Sequence, residues 1–234
     1  MSAVIPIENA PAPRKELLPR TQRVRLEISE AGRLIHDSRS LSIGRTYVGA
    51  VRLTESEELV AGGFSLRTSS VPPSAAVYAI RTARLVEGEP SPVIRDIAPV
   101  IAALLGARAE VQSVIYTQSP NLTAFAVARR PLPVVYGFGL LRRTPHDLPV
   151  TRGQRHLSPE AVLEAIERNP RSPAVLLANR GVVVFGREPL SALARVVTSL
   201  EEAAGITINA IALGGACAFP PDAHQAVQQG AAFE

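Results

Sequence analysis

Tryptophan is absent from this chain, and all aromatics together make up 4% of its 234 residues. A core of ordinary size must then come from Val, Ile, Leu and Ala, which an apolar content of 46% allows. There is one cysteine, Cys217, which excludes an internal disulfide and a cysteine metal cluster. With no basic neighbour to activate it, Cys217 reads as a buried, inert thiol. Lysine is almost missing too: Lys15 is alone among 25 Lys and Arg residues and lies in a proline-rich leader. A lysine Schiff base, which needs a sheltered amine, is therefore not expected. No apolar run reaches the roughly 18 residues of a membrane helix. The first residues, "MSAVIPIENAPAPRKELLPR", lack the basic-then-apolar order of a signal peptide. A cytoplasmic protein without a membrane partner is expected. The net charge of +4 is modest, and the arginines are scattered with no aromatics between them, so nucleic acid is not an expected partner.

What is present alternates between two periods. Residues 1–20 carry four prolines and read as a flexible arm. In "TQRVRLEISEAGRLIHDSRSL", Val24, Ile28, Ala31 and Ile35 recur at helical spacing, and Thr21 is placed to cap the start. "TYVGAVRLT", "ELVAGGFSLRT" and "AAVYAIRTARLVEGE" are short β-rich runs split by Gly and Pro. "IRDIAPVIAALLGARA" reads as an apolar helix with Pro99 in or near its first turn. A strand "VQSVIYTQS" follows, then a helix "SPNLTAFAVARR" capped by Ser119 with Pro120 at its first position. "LPVVYGFGLL" reads as a strand, and "SPEAVLEAIERN" as a helix opened by Ser158. "PAVLLANRGVVVFG" is a hairpin turning at Asn179-Arg180-Gly181, and a long helix runs through "EPLSALARVVTSLEEAAGITINAIALGG". The expected architecture is one α/β domain over 21–215, with a central, mostly antiparallel sheet and helices on both faces. The tail, 216–234, is expected to be loop and mobile terminus.

Part of this pattern resembles the class II aldolase/adducin family. "AVLLANRGVVVFGREPLSALARVVTSLEEAA" is similar to the family's C-terminal strand, Asn-His-Gly turn, second strand and helix ending Leu-Glu-x-Ala-Ala. "ARAEVQSVIYTQSPNLTAFAVARRPLP" looks like the family segment that carries His-Thr-His-Ser-Pro ahead of a helix. "EAGRLIHDSRSL" is similar to its first helix, and "ARLVEGEPSP" to the strand before its catalytic acid. The resemblance covers residues 24 to 215 and is specific from 108 onward.

The resemblance implies a three-layer fold and carbon–carbon bond cleavage assisted by a zinc ion that three histidines hold. In this chain the three positions are Tyr116, Gln118 and Arg180. A guanidinium is cationic and has no lone pair to give a metal, so no metal and no other cofactor are expected. Asp96 is the one carboxylate near the position of the family's catalytic glutamate, within 94–97. The family's phosphate-gripping Asn and Ser fall on Val48 and Ala50, and Arg52 matches the arginine that follows. Sugar phosphates are thus not the expected substrate.

Tyr116, Arg180 and Asp96 are accordingly the expected catalytic groups, with Gln118, Asn179 and Arg52 as substrate-binding groups. The expected substrate is a small carboxylate- or carbonyl-bearing molecule, anionic in being matched to arginine, turned over by a lyase, decarboxylase or isomerase step, and a place in bacterial biosynthesis is compatible. The alternative is a non-catalytic binding or scaffold protein like the adducin heads, its pocket plugged by an Arg180–Asp96 pair. An open polar pocket separates the first from the second. The resemblance also implies a homo-oligomer, a tetramer with its sites between subunits. His36 reads as a surface residue of the first helix. His146 and His156 flank the loop "DLPVTRGQR" and are weighed as a recruited two-histidine metal site, against a structural role for each. Asp37 and Asp147, each after a histidine, read as turn caps.

Overall fold

A computed structural model describes residues 21–41, 45, 47–53, 56–64, 74–137, 144, 146–152, 157–220, 222, 223 and 226. Among these residues lie five helices and seven strands. In chain order they are α1 (Gln22–Asp37), β1 (Tyr47–Leu53), β2 (Glu58–Phe64), β3 (Ser74–Ala79), β4 (Leu85–Gly88), α2 (Pro92–Ala107), β5 (Ser113–Thr117), α3 (Pro120–Ala128), α4 (Pro159–Arg168), β6 (Ala174–Leu177), β7 (Gly181–Gly186) and α5 (Leu190–Ala212).

The strands form one sheet in the order β4-β3-β2-β1-β5-β7-β6, and each neighbouring pair is antiparallel. The apolar content of the strands serves both faces, because successive side chains point to opposite sides. On β7, Val182 and Val184 join the core beneath α1, α3 and α5, and Val183 and Phe185 join the core beneath α2 and α4. β5 divides in the same way: Ile115 goes to the first core, and Val114 and Tyr116 to the second. The result is three layers with the sheet in the middle, as the residue pattern predicts. Val24, Ile28, Ala31 and Ile35 are the buried stripe of α1. Ile28 packs down onto the paired glycines Gly49 and Gly62, where a Cβ on either would meet it within 3.2 Å.

Five local readings need correction. α2 begins at Pro92, so Pro99 sits inside the helix. It is exposed there, and the missing N–H falls on the solvent side, where water can serve the freed carbonyl. Ser119 stands at the N-cap position of α3 but makes no capping bond. Instead Glu201, reaching across from α5, accepts from the backbone N–H groups of Asn121 (2.7 Å) and Leu122 (2.9 Å). Thr21 likewise makes no side-chain cap bond. "LPVVYGFGLL" contributes no strand among its described residues; Leu132 forms one isolated bridge with Leu148. Pro131 and Pro133 on either side have no N–H to extend a ladder. The rest of that run, and the 1–20 arm, lie outside the described residues. Past α5, residues 213–218 are exposed, Cys217 with them, so this thiol is not the buried one expected.

Candidate functional site

The β6–β7 hairpin carries Arg180 at a turn that the surrounding backbone holds from several sides. Asn179 has φ 60°, a conformation asparagine tolerates better than most residues. Its N–H donates to the carbonyl of Ala126 at the end of α3 (3.1 Å), and the Arg180 N–H donates to Leu177 (2.9 Å). Gly181 follows at φ 145°, with its α-carbon against the carbonyl of Thr117, so any side chain there would collide.

The neighbouring strand completes the clamp. Tyr116 lies on β5, paired on one side with Val183 and on the other with Val48. Its hydroxyl donates to the carbonyl of Arg180 (3.3 Å). The Gln118 amide nitrogen donates to the same carbonyl (3.0 Å). The Gln118 oxygen in turn accepts from Nη1 of Arg45 (3.2 Å). The backbone of Arg180 is therefore pinned, and its half-buried side chain projects from a fixed point.

These groups border a cleft of about 210 Å³ lined by Arg45, Val93, Asp96, Ile97, Tyr116, Gln118, Leu157 and Arg180. The first turns of α2 supply Val93, Asp96 and Ile97, so the cleft has an apolar wall and a charged one. Tyr116 is 4% exposed. Burial pushes its phenol above the ordinary value of 10; Arg180, Gln118 and Arg45 pull it down, and Asp96 pushes it up. The phenol remains protonated at neutral pH and acts as a donor. Asp96 is exposed. Among the described residues no ion pair joins Arg180 to Asp96, and no plug fills the cleft.

The structure thus brings together Tyr116, Gln118, Arg180 and Asp96. It does not bring in Asn179 or Arg52. Asn179 is exposed on the turn and shapes it through its backbone. Arg52 is corrected more sharply. It lies four residues beyond Val48 on β1, about 13 Å at strand rise. There its guanidinium donates to the carbonyls of Leu105, Val111 (3.2 Å) and Arg108 (3.5 Å), closing the C-terminus of α2. Its residue type suits carbonyls at a helix end as well as it suits a substrate anion, and nothing in the sequence separates the two uses. A larger groove of about 550 Å³ lies beside Arg52, bordered by Arg23, Glu27, Arg187 and Glu188.

Sequence reasoning missed Arg45, Val93, Ile97 and Leu157. Arg45 was findable only from the register: Val48 opposite Tyr116 brings the residues before β1 to those after β5.

The donor set does not fit the zinc ion that the resemblance implies. A guanidinium and a protonated phenol offer no ligand to a divalent cation, and the cleft has one carboxylate. Among the described residues no three His, Cys, Asp or Glu side chains are grouped to hold a metal. His146 is exposed and His156 lies outside the described residues. His36 is half-buried beside Asp37 (3.1 Å), on α1. Asp147 accepts from the N–H of Val134 (3.3 Å), 13 residues away, so it ties together the two segments of the Leu132–Leu148 bridge and does not cap a turn. No helix among the described residues is long and apolar enough to cross a membrane.

A seven-stranded antiparallel sheet between two helical layers, with a cleft where a β-hairpin turn meets a helix N-terminus, defines a class II aldolase-like fold. The family model for the class II aldolase and adducin N-terminal domain matches residues 27–208, and the chain belongs to that family. Solved structures agree. An L-fuculose 1-phosphate aldolase is similar at 22% identity and TM-score 0.72, over 89% of this chain and 96% of that one. The L-fuculose 1-phosphate aldolase of Glaciozyma antarctica is similar at 16% and 0.69, over 94% and 86%. An aldolase II superfamily protein of Pseudomonas syringae is similar at 17% and 0.68, over 92% and 86%. No curated protein matches the sequence. At these identities the likeness carries the fold, and function rests on the site.

Proposed function

We propose that this chain is a divergent class II aldolase-like enzyme. It works without the family's zinc on a small carboxylate- or carbonyl-bearing molecule, in a lyase, decarboxylase or isomerase step. The observation that carries the reading is the convergence of Arg180, Tyr116, Gln118 and Asp96 on one open cleft with Arg180 unpaired to Asp96. Arg180 supplies the positive charge for an oxygen on which negative charge grows, from a backbone that Tyr116 and Gln118 hold in place. The Tyr116 hydroxyl, on leaving the Arg180 carbonyl, is a proton donor at the same oxygen, Gln118 holds the turn beside it, and Asp96 is the group available to accept a proton. The adducin-like scaffold reading called for an Arg180–Asp96 plug. The open cleft supports the enzyme instead.

Metal content and ligand response together test this. Protein purified without a histidine tag is expected to hold no stoichiometric zinc. After chelator treatment its melting temperature is expected to rise with small carboxylic and 2-oxo acids. About one zinc per chain, lost on substitution at 116, 118 or 180, would overturn the proposal, as would indifference to every acid tried.

A further inference from the structure

Arg45 is a second guanidinium on the cleft, and the proposed function makes no use of it. It donates one N–H to Gln118 (3.2 Å). A guanidinium has five donors, and among the described residues no carboxylate takes the others. Arg180 is in the same condition: among the described residues its hydrogen bonds are made by its backbone, not its side chain. Against these two positive charges the cleft sets one carboxylate, Asp96. Tyr116, held protonated, adds no negative charge. The site therefore has a surplus of positive charge, carried by two guanidiniums on one cleft. Gln118 lies between them, its oxygen on Arg45 and its nitrogen on the Arg180 backbone. Val93, Ile97 and Leu157 form an apolar wall in the same cleft.

We infer that the ligand of this cleft is a small dicarboxylate, with one carboxylate on Arg180, the other on Arg45, and a short carbon chain against Val93, Ile97 and Leu157. The inference rests on the reading of Arg180 as an anion anchor and adds the second anchor to it. Arginine suits both ends because its planar fork meets a carboxylate with two parallel N–H bonds. Arg45 is exposed, so its share is that of a screened surface pair and falls as salt rises.

Matched ligands on the intact protein test it. Binding of succinate, its monomethyl ester and inorganic phosphate is measured by calorimetry at low and high salt. Succinate is expected to bind about fivefold more tightly than the monoester, the scale of one exposed ion pair, and the advantage is expected to shrink with salt. In Arg45→Gln the two ligands should bind alike. In Arg45→Lys, which keeps the charge, part of the preference should return. Several outcomes overturn the inference. One is equal affinity for succinate and monoester in the unmodified protein. Another is phosphate binding as tightly as succinate, which would mean a single anion subsite. A third is an Arg45→Gln variant that weakens both ligands equally, which would make Arg45 a positioning residue for Gln118. In each of these Arg180 keeps its role if Arg180→Ala weakens binding about thirtyfold. Absence of binding by any carboxylate would end the inference and the anchor reading together.

Discussion

At the scale of a residue, Arg180 shows how position and partner together decide what a charged group does. A buried arginine paired to a carboxylate would be part of the fold, and its removal would strand the partner at a cost of about 3 kcal/mol or more. Arg180 is half-buried, and its side chain has no carboxylate partner among the described residues. The turn is held by backbone bonds that alanine at 180 would keep. Arg180→Ala is therefore expected to change stability by less than about 1 kcal/mol. Carboxylate affinity should fall by about 2 kcal/mol, as for one lost charged contact. Thermal melts of both proteins with and without small carboxylic acids measure the two effects at once. A large drop in melting temperature with no ligand effect would restore the plugged-pocket reading.

At the scale of an element, two helix ends are finished by side chains from distant parts of the chain. Arg52 on β1 serves the last carbonyls of α2. Arg52→Ala is expected to cost about 2 kcal/mol, the range for hydrogen bonds to a charged group, and to leave carboxylate binding at the cleft intact. Chemical denaturation beside calorimetry checks this; a binding loss without a stability loss would return Arg52 to the substrate. At the other end, Glu201 on α5 caps the start of α3 while only 5% exposed. Burial pushes its carboxyl above the ordinary 4.5, against the backbone N–H groups of Asn121 and Leu122 and the Asn121 side chain, which pull it down. A carboxyl raised in the folded state adds stability that is complete below 4.5, its unfolded value, and that is lost as pH rises through the folded value. Wild type should thus lose stability relative to Glu201→Gln as pH rises above 4.5. Denaturant midpoints of both proteins from that pH upward decide it, and a difference independent of pH would contradict the sign.

At the scale of the whole molecule, apolar side chains remain uncovered. Leu26 on α1 is 67% exposed, Ile211 on α5 is 55% exposed and Leu213 just beyond it is 89% exposed. Burying surface of this kind between copies is favourable at roughly 25 cal/mol per Å² before the cost of association. Together with the oligomer that the family resemblance implies, this supports a proposal that the chain is a homo-oligomer. Light scattering at micromolar concentration is expected to give a mass above one chain. A monomer would contradict it and would leave the cleft without any wall that a neighbouring copy supplies.

The sequence by itself determined the elements whose signal is local. The stripe Val24, Ile28, Ala31 and Ile35 makes α1 amphipathic whatever it packs against, and the apolar runs around Asn179-Arg180-Gly181 make a hairpin because the turn residues sit between them. The quoted motifs carried the family and the layered fold, and they placed Tyr116, Gln118, Asp96 and Arg180 as a group. Only the tertiary structure decided which arginine faces what. Arg45 reaches Gln118 across 73 positions, and Arg52 reaches Val111 across 59. Glu201 replaces the local Ser119 cap from 80 residues away. Composition and periodicity report what a residue does within a few turns of its own chain. A long polar side chain finds its partner through strand register and helix packing, and those are set by the burial of apolar residues elsewhere.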